Sequence, residues 1–368
     1  MLFVIVDTTR KIRGPADESR RKYLSITICK YVLTTPKNSM TYRVDVITAL
    51  FIRTQKLRVR QVRLYTIPNT VQSYPCLYND SQRSIRDLIT PSRTDLLNLT
   101  LDPYLPKYAN FQKLSSSLPP AYHFIYFPTS TSELANLPDG YEAHFAPTRP
   151  FERRIWTQGK LEFGKKSLII GGWAQCLEVV HKVADTESAT DVWIERKIFN
   201  GLENNWTDDW SVRELRCLRY LHIIPPVEKT FQARISSLNP GKVNGFSHTF
   251  TPSRILLRRF SFLTHNFHLI HIDKDYAQRE EKYPDVLMQG SLSVTLILIM
   301  VRQFYEALYE NFSILRTKYV MYRPLYVNRP VTLVVASSGP ERKRAMLLDD
   351  QNAKAVECII IHSAETKG

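Results

Sequence analysis

The pattern of hydrophobic and polar positions is clearest in the C-terminal third of the chain. An apolar run from Leu292 to Val301 follows Gly290 and predicts a core helix, because it is far shorter than the roughly 18–20 apolar residues of a membrane span. Residues 274–282 predict a short polar helix before it. Strands are expected around these helices, over 246–250, 255–262, 319–326, 330–336 and 355–362. A long helix followed by antiparallel strands predicts an α+β fold.

The N-terminal half shows a similar pattern of predicted helices and strands, but less clearly. A short helix is expected over 97–105, and residues 122–127 form an aromatic, β-prone run. Strand-like runs follow over 167–170, 174–182 and 191–199. Residues 200–245 look like a polar, Trp-rich insertion that turns and prolines interrupt.

We therefore predict three parts. They are a basic extension over 1–80 (a targeting or a poorly ordered segment), a first repeat with an insertion over 81–235, and a second repeat over 236–368.

Composition and charge narrow the class of protein. Hydrophobic residues make up 43% of the 368 positions, which is ample for a packed core. The net charge of +15 is concentrated in residues 1–75, which hold 14 Lys and Arg against 4 Asp and Glu. No nucleic-acid-binding motif accompanies this charge, so we expect no nucleic-acid partner. Because no apolar run is long enough to span a membrane, we also expect no stable membrane insertion. The extension resembles an organelle transit segment, and a wrongly predicted start remains the alternative.

Candidate chemistry lies in the loop before the apolar helix. Asn266, His268 and His271 fall within six residues, and Gly290 stands where the helix begins. An imidazole exchanges protons near neutral pH. The first N–H groups of a helix lack internal partners and lie at its positive end, so Gly290 could bind an oxygen that gains negative charge. This combination suits proton transfer next to a thioester carbonyl.

These residues resemble a known family. Asn266-Phe-His-Leu-Ile-His271 with Asp273, Tyr283-Pro284 and Gly290 is similar to the MaoC-like hydratases, especially the fungal mitochondrial type 2 hydroxyacyl-thioester dehydratases and the mesaconyl-CoA-type hydratases. Further resemblance extends over roughly 85–365, including Leu118-Pro-Pro and Arg153-Arg-Ile-Trp156. It implies a double hot-dog fold, with a long helix wrapped by a sheet in each repeat, and a hydro-lyase of mitochondrial fatty-acid synthesis. The second repeat would carry the chemistry.

The resemblance also implies roles for single residues. His271 would be the general acid and base, Asn266 its partner, and Gly290 the backbone donor to the thioester oxygen. The residues expected to contact substrate are His268, Phe267, Trp156, Gln289 and Ser291. No metal or cofactor is implied, and the substrate would be an acyl-ACP or acyl-CoA thioester. We expect a monomer, as a pseudo-dimer of repeats, or a homodimer.

The sequence departs from the wider group at four positions, one of which is Gln158, where a Gly often stands beside Trp156. Asn266 replaces the usual Asp and an amide cannot act as a base, so it would orient water while His271 moves the protons. Gln289 stands where a His is usual and Phe267 where a small residue is usual. Two alternatives therefore stay open. One is a hydratase of a short branched or dicarboxylic enoyl-CoA; a pocket arginine near His271 would favour it, whereas a deep apolar tunnel would favour the fatty-acyl enzyme. The other is a non-catalytic acyl-thioester-binding protein.

Overall fold

A computed structural model describes most of the chain after residue 81. The described residues are 6–10, 26–30, 82–106, 116–128, 132, 136–147, 150–202, 209–222 and 245–366. The chain divides into two compact units, residues 1–71 and 72–368. In the first unit, strands β1 (Val6–Arg10) and β2 (Ile26–Lys30) pair antiparallel. The rest of the predicted extension lies outside the described residues, as does most of the predicted insertion.

The second unit is built on one ten-stranded sheet whose paired strands are all antiparallel. Its strands are β3 (Gln82–Leu88), β4 (Arg153–Phe163), β5 (Trp173–Asp185), β6 (Ala189–Asn200), β7 (Val212–Leu221), β8 (Gly245–Phe250), β9 (Tyr309–Met321), β10 (Val331–Ser337), β11 (Arg342–Leu348) and β12 (Lys354–Thr366). The strand order is β3-β5-β6-β7-β4-β9-β12-β11-β10-β8. The five earlier strands and the five later strands thus form separate halves, which meet where β4 pairs with β9.

Four α-helices pack around this sheet in the described part of the chain. They are α1 (Pro91–Leu101), α2 (Arg254–Thr264), α3 (Lys274–Arg279) and α4 (Gly290–Leu308). The predicted long apolar helix is α4, and its residues from Ser291 to Val301 are all buried against the later strands. It is long and apolar enough to cross a membrane, yet 72% of its most apolar stretch is buried inside the protein, as befits a core helix. The predicted α+β class is confirmed.

Several residue ranges that were predicted to be strands form helices or loops instead. Residues 255–262 belong to α2. Ser253 caps the start of this helix, because its side chain accepts a hydrogen bond from the Leu256 N–H at 3.1 Å. Its buried Leu256, Leu257 and Phe260 follow helical spacing, which the β-prone composition obscured. Residues 167–170 form a loop with one isolated bridge, and strand β7 occupies part of the supposed insertion.

The aromatic run 122–127 is a buried 3-10 turn over Tyr122–Ile125 and not a strand. Ala121 (φ 72°) and Phe127 (φ 58°) adopt left-handed backbone conformations at its ends, which stop an extended strand from forming. The hydroxyl of Tyr122 donates to Asn98 Oδ1 and that of Tyr126 to the Thr90 carbonyl, so the polar tips of both rings are satisfied. The longest α-helix described in the earlier half is α1, with 11 residues, so only the later half contains a long helix among the described residues.

Candidate active site

The loop that follows α2 carries the predicted reactive residues. His265 ends the helix in a left-handed conformation (φ 53°), and the Asn266 N–H then donates to the Ser261 carbonyl at 3.0 Å. The side chain of Asn266 accepts a hydrogen bond from the His268 N–H through Oδ1, at 3.1 Å, which forms an Asx turn. Because a backbone N–H can only donate, this bond assigns Oδ1 as the acceptor and leaves the Asn266 amide NH₂ free to donate.

The ring of His271 is held in one tautomer. Its Nδ1 lies 2.9 Å from the Leu287 carbonyl oxygen, which can only accept, so Nδ1 carries the proton. Burial lowers the pKa of His271 to about 3, and the neighbouring His268 adds to this effect. The imidazole is therefore neutral near pH 7, and Nε2 presents a lone pair that can accept a proton.

Both ends of the loop are fixed to other parts of the fold. The Leu287 N–H donates to the Ile270 carbonyl at 2.9 Å, which ties the loop to the segment entering α4. The Leu269 N–H donates to the Asp139 carbonyl at 2.8 Å. Beside this contact, a β-carbon at Gly140 would lie only 2.5 Å from the Phe267 carbonyl oxygen, and Gly140 has φ of +81°. Glycine is thus needed at position 140, where the backbone of the earlier half contacts the loop.

Helix α4 begins without a side-chain cap. Its N-cap residue, Gln289, is fully buried and directs its amide nitrogen to the Leu257 carbonyl (2.8 Å) and Ser261 Oγ (2.9 Å) of α2. The NH₂ group of Gln289 thus holds two helices together, and its contact with substrate stays a prediction. The first N–H groups of α4, beginning with Gly290, remain available at the positive end of the helix.

A cleft lies beside the loop and the start of α4. It is lined by Asn266 and Phe267 from the loop, Ser291 from α4 and Trp156 from β4, so four of the predicted site residues share it. Gly290 adjoins this lining, because a β-carbon there would lie 3.6 Å from the Trp156 ring. The indole N–H of Trp156 donates to the Tyr319 hydroxyl at 3.1 Å, which fixes the plane of the ring.

His271 and Gly290 are not themselves among the lining residues of this cleft. His271 is 9% exposed, and its ring is bonded to the carbonyl of Leu287, three residues before Gly290. The segment 287–290 therefore connects the residue that holds the His271 ring to the first residue of α4.

His268 lies in a buried polar network and is not among the lining residues of the cleft, so its contact with substrate stays a prediction. Its Nε2 is 3.4 Å from Asp139 Oδ2 and 3.8 Å from Glu281 Oε1. Burial and the nearby Arg154 lower its pKa to about 3, so these contacts are made by a neutral ring. Arg154 itself pairs with Asp139 at 2.7 Å. Through His268, this network of Asp139, Arg154 and Glu281 contacts the loop.

Part of the cleft lining is charged, and its residues were not among the predicted site residues. They are Glu178 of β5, Arg196 of β6 and Arg216 of β7. Arg196 pairs with Glu178 at 2.6 Å and with Glu214 at 3.1 Å, and Arg216 pairs with Glu214 at 2.6 Å. The Arg216 guanidinium also lies over the Trp156 ring, 4.9 Å from its centroid. Although burial alone would raise it, Arg216 and Arg196 lower the pKa of Glu214 to about 2.

One sequence signal pointed weakly to this cluster. Glu214 and Arg216 are two residues apart, so on a strand they share a face. Charged residues at one inward-facing register are uncommon, and they need partners on neighbouring strands. Among the described residues, no group of three or more His, Cys, Asp or Glu side chains could hold a metal ion.

Residues 121–327, just over half of the chain, match the sequence profile of the hydroxyacyl-thioester dehydratase type 2 family. The chain belongs to this family. The matched region contains the loop, the start of α4 and the Trp156 strand, so the dehydratase profile spans every residue of the site described above.

The curated relatives of this dehydratase-family chain include two enzymes with different names. It is 27% identical to the mitochondrial hydroxyacyl-thioester dehydratase type 2 of Schizosaccharomyces pombe, over 69% of this chain and 90% of that protein. It is 25% identical to the mesaconyl-C(4)-CoA hydratase of Chloroflexus aurantiacus, over 61% of this chain and 76% of that protein.

Solved structures confirm the predicted hot-dog fold. The crystal structure of a MaoC-like dehydratase from Phytophthora capsici superposes with a TM-score of 0.57 at 10% identity. The match covers 79% of the dehydratase-family chain and 99% of that structure. At this identity the likeness concerns the fold alone.

The depressed pKa of His271 makes a prediction about pH. A base with the ordinary pKa of about 6.5 would be mostly protonated at pH 5, and kcat/KM would fall roughly 30-fold from its plateau. Since burial lowers the pKa of His271 to about 3, its neutral form persists at pH 5. We expect kcat/KM for enoyl-thioester hydration to stay within about two-fold between pH 7.5 and 5.

Initial rates across this range, with enzyme returned from pH 5 to pH 7.5 as a check on unfolding, measure the effect. An acid limb centred near pH 6.5 in enzyme that recovers fully would contradict the buried, neutral state of His271.

Proposed function

We propose that this protein is a mitochondrial 3-hydroxyacyl-thioester dehydratase that acts in type II fatty-acid synthesis. It removes water from a 3-hydroxyacyl thioester to give the trans-2-enoyl thioester, and it also catalyses the reverse hydration. The observation that carries the proposal is the neutral His271, whose Nδ1 proton is bound to Leu287 on the segment that opens the uncapped helix α4. Family membership and the name of the S. pombe relative support the reaction and the mitochondrial location.

In dehydration, Nε2 of His271 accepts the proton from C2 of the substrate. The electron pair of that C–H bond moves toward the thioester carbonyl, whose oxygen gains negative charge. The resulting imidazolium then gives the same proton to the 3-hydroxyl group as the C3–O bond breaks, and water leaves. The low pKa of His271 makes the imidazolium a strong acid, which favours this second transfer.

Gly290 and Asn266 supply the fixed donors in this scheme. The thioester oxygen accepts from the N–H at the start of α4, where the helix dipole also favours negative charge. The missing side chain of Gly290 lets the oxygen come close to the backbone. The free NH₂ group of Asn266 donates to the 3-hydroxyl or to the attacking water and holds it beside C3.

The two halves have different parts in this proposal. Residues 236–368 provide the loop, α4 and the proton transfers, whereas residues 81–235 shape the acyl pocket through Trp156 and the charged cluster. The pairing of β4 with β9 joins the halves within one chain, which supports a single-chain pseudo-dimer.

Turnover of crotonyl-CoA tests the reaction. Purified protein should add water to crotonyl-CoA, seen as loss of enoyl absorbance, and should form the 3-hydroxyacyl product. Binding of enoyl thioesters without any turnover would instead identify the alternative of a non-catalytic acyl-binding protein.

The charged side of the cleft favours a second candidate, a hydratase or dehydratase restricted to short acyl groups. Arg216, Arg196 and Glu178 line the same cleft as Trp156, whereas a long acyl chain would be served by an apolar tunnel. The cluster holds Arg83, Arg196 and Arg216 against Glu142, Glu178 and Glu214, so its charges balance. A balanced cluster offers no unpaired cation to a dicarboxylic substrate, and the observation therefore favours short acyl groups over dicarboxylic ones.

Chain length separates the two candidates. An apolar tunnel would gain about 0.8 kcal/mol, or roughly four-fold in kcat/KM, for each added methylene. We expect no such gain here, so kcat/KM should be flat or falling from the four-carbon to the eight-carbon enoyl-CoA. A steady rise along the series would show that the acyl chain avoids the charged cluster, and would favour the long-chain enzyme.

A further inference from the structure

The outer face of α2 carries an unusual combination of side chains. Ile255 and Phe262 are large hydrophobic residues, yet their exposed fractions are 67% and 71%. Arg258 and Arg259 lie between them and are also exposed. The spacing of these four residues places them along one stripe of the helix. We call this stripe the α2 face.

The α2 face is positively charged and its charge is not neutralised. Helix α2 contains three arginines and no acidic residue. Arg254 reaches Asp285 at 3.5 Å, but Arg258 and Arg259 form no ion pair with any residue that the structure describes. Unpaired arginines beside exposed apolar side chains are a combination enriched in protein interfaces.

The α2 face leads directly to the cleft. Thr264, the last residue of α2, and the three residues after it line the cleft. The ring of Phe262 meets that of Phe267 edge to face, with centroids 5.8 Å apart. A protein bound on the α2 face would therefore lie next to the opening through which a thioester arm reaches the site.

We propose that the α2 face binds the acidic surface of an acyl carrier protein that delivers the acyl thioester. This inference rests on the proposed function, because the carrier matters only if the cleft takes an acyl thioester. Acidic side chains of the carrier pair with Arg258 and Arg259, and its apolar side chains cover Ile255 and Phe262. The apolar part of the surface distinguishes a protein from free CoA, whose phosphates would need the arginines alone.

Charge reversal on the α2 face tests the proposal. The double variant Arg258→Glu/Arg259→Glu changes only exposed positions outside the catalytic loop, so the fold and the site should remain intact. The matched control is Lys165→Glu/Arg342→Glu, which reverses two exposed cations on other elements. Each protein is assayed with crotonyl carrier protein and with crotonyl-pantetheine, which lacks both the carrier and the charged part of CoA.

The α2-face variant should show at least about a ten-fold rise in KM for crotonyl carrier protein. Its kcat/KM for crotonyl-pantetheine should stay within about two-fold of the wild type. The control variant should match the wild type on both substrates. Binding of the unacylated carrier protein, measured by calorimetry, should weaken in the α2-face variant and fall with salt in the wild type.

Two results would overturn the proposal. One is an unchanged KM for crotonyl carrier protein together with unchanged carrier binding. The other is conversion of a wild-type dimer to a monomer by the variant with carrier kinetics unaffected, which would assign the α2 face to a second copy of this chain. Failure of the proposed function looks different: the wild type would bind the carrier protein through this face and yet turn over neither thioester.

Discussion

Replacing His271 by alanine is expected to lower kcat/KM for crotonyl-CoA hydration by about 10²- to 10⁴-fold. The variant loses the only group near the start of α4 to which we assign proton transfer, because Asn266 is an amide and cannot accept a proton. Binding should change far less, since the Gly290 N–H and the cleft wall remain. Initial rates with crotonyl-CoA, with binding measured separately, distinguish lost chemistry from lost affinity.

A nearby histidine provides the matched control for this variant. His265 is exposed and begins the same loop, where it adopts a left-handed backbone conformation. Asparagine tolerates that conformation, so His265→Asn removes an imidazole without backbone strain. We expect it to keep activity within about three-fold of the wild type. Comparable losses in both variants, or none in His271→Ala, would refute the role of His271.

Replacing Arg153 by methionine is expected to destabilise the protein by about 3–5 kcal/mol. Arg153 is 1% exposed, and its Nε donates to Glu281 Oε2 at 2.9 Å while Nη2 donates to the Glu281 carbonyl. The variant leaves the buried Glu281 carboxylate without its cation. Urea unfolding at pH 8 measures the free energy of unfolding directly.

The loss of unfolding free energy in the Arg153→Met variant should also depend on pH. Burial raises the pKa of Glu281 even with Arg153 beside it, and removing the cation raises it further. In the folded variant Glu281 then binds a proton that the unfolded chain has released, so stability falls as the pH rises through the range between the two pKa values. The variant should therefore be closer to the wild type at pH 6 than at pH 8.

Two further variants interpret this measurement. Arg153→Met/Glu281→Leu removes both charges and should recover much of the stability, since a buried pair can often be exchanged for apolar residues. Arg219→Met breaks the ion pair with Asp191, in which the Arg219 side chain is 43% exposed, and should cost less than about 1 kcal/mol. Equal losses at Arg153 and Arg219 would show that burial of the Glu281 pair contributes nothing.

This buried pair also supports the site. Glu281 precedes Tyr283, whose ring lies under the Arg153 guanidinium at 4.4 Å from its centroid. The same segment continues to Leu287, whose carbonyl fixes the His271 tautomer. Arg153 and Arg154 lie on β4, and their partners Glu281 and Asp139 contact the segments that hold the loop of the second half, which no local pattern could indicate.

The candidate site was readable from sequence where its parts are close along the chain. Asn266 and His271 share one short loop, and Gly290 marks the start of an unmistakable apolar helix, so spacing alone suggested their chemistry. Gln289 and His268 belong to the same stretch, yet the partners of their side chains could not be predicted. Their side chains turn toward α2 and toward Asp139, and a sequence does not state the direction in which a side chain points.

The sequence by itself determined the long buried helix, five of the ten sheet strands (β5, β6, β8, β10 and β12) and the reactive loop, because hydrophobic periodicity and helix-start chemistry are local properties. Only the tertiary structure decided what surrounds that loop. Glu178, Arg196 and Arg216 come from three strands that become neighbours only when the antiparallel sheet forms. Burying these charges is tolerable only because each meets an opposite charge across the sheet, and that pairing depends on strand order and register, which are fixed by the whole fold.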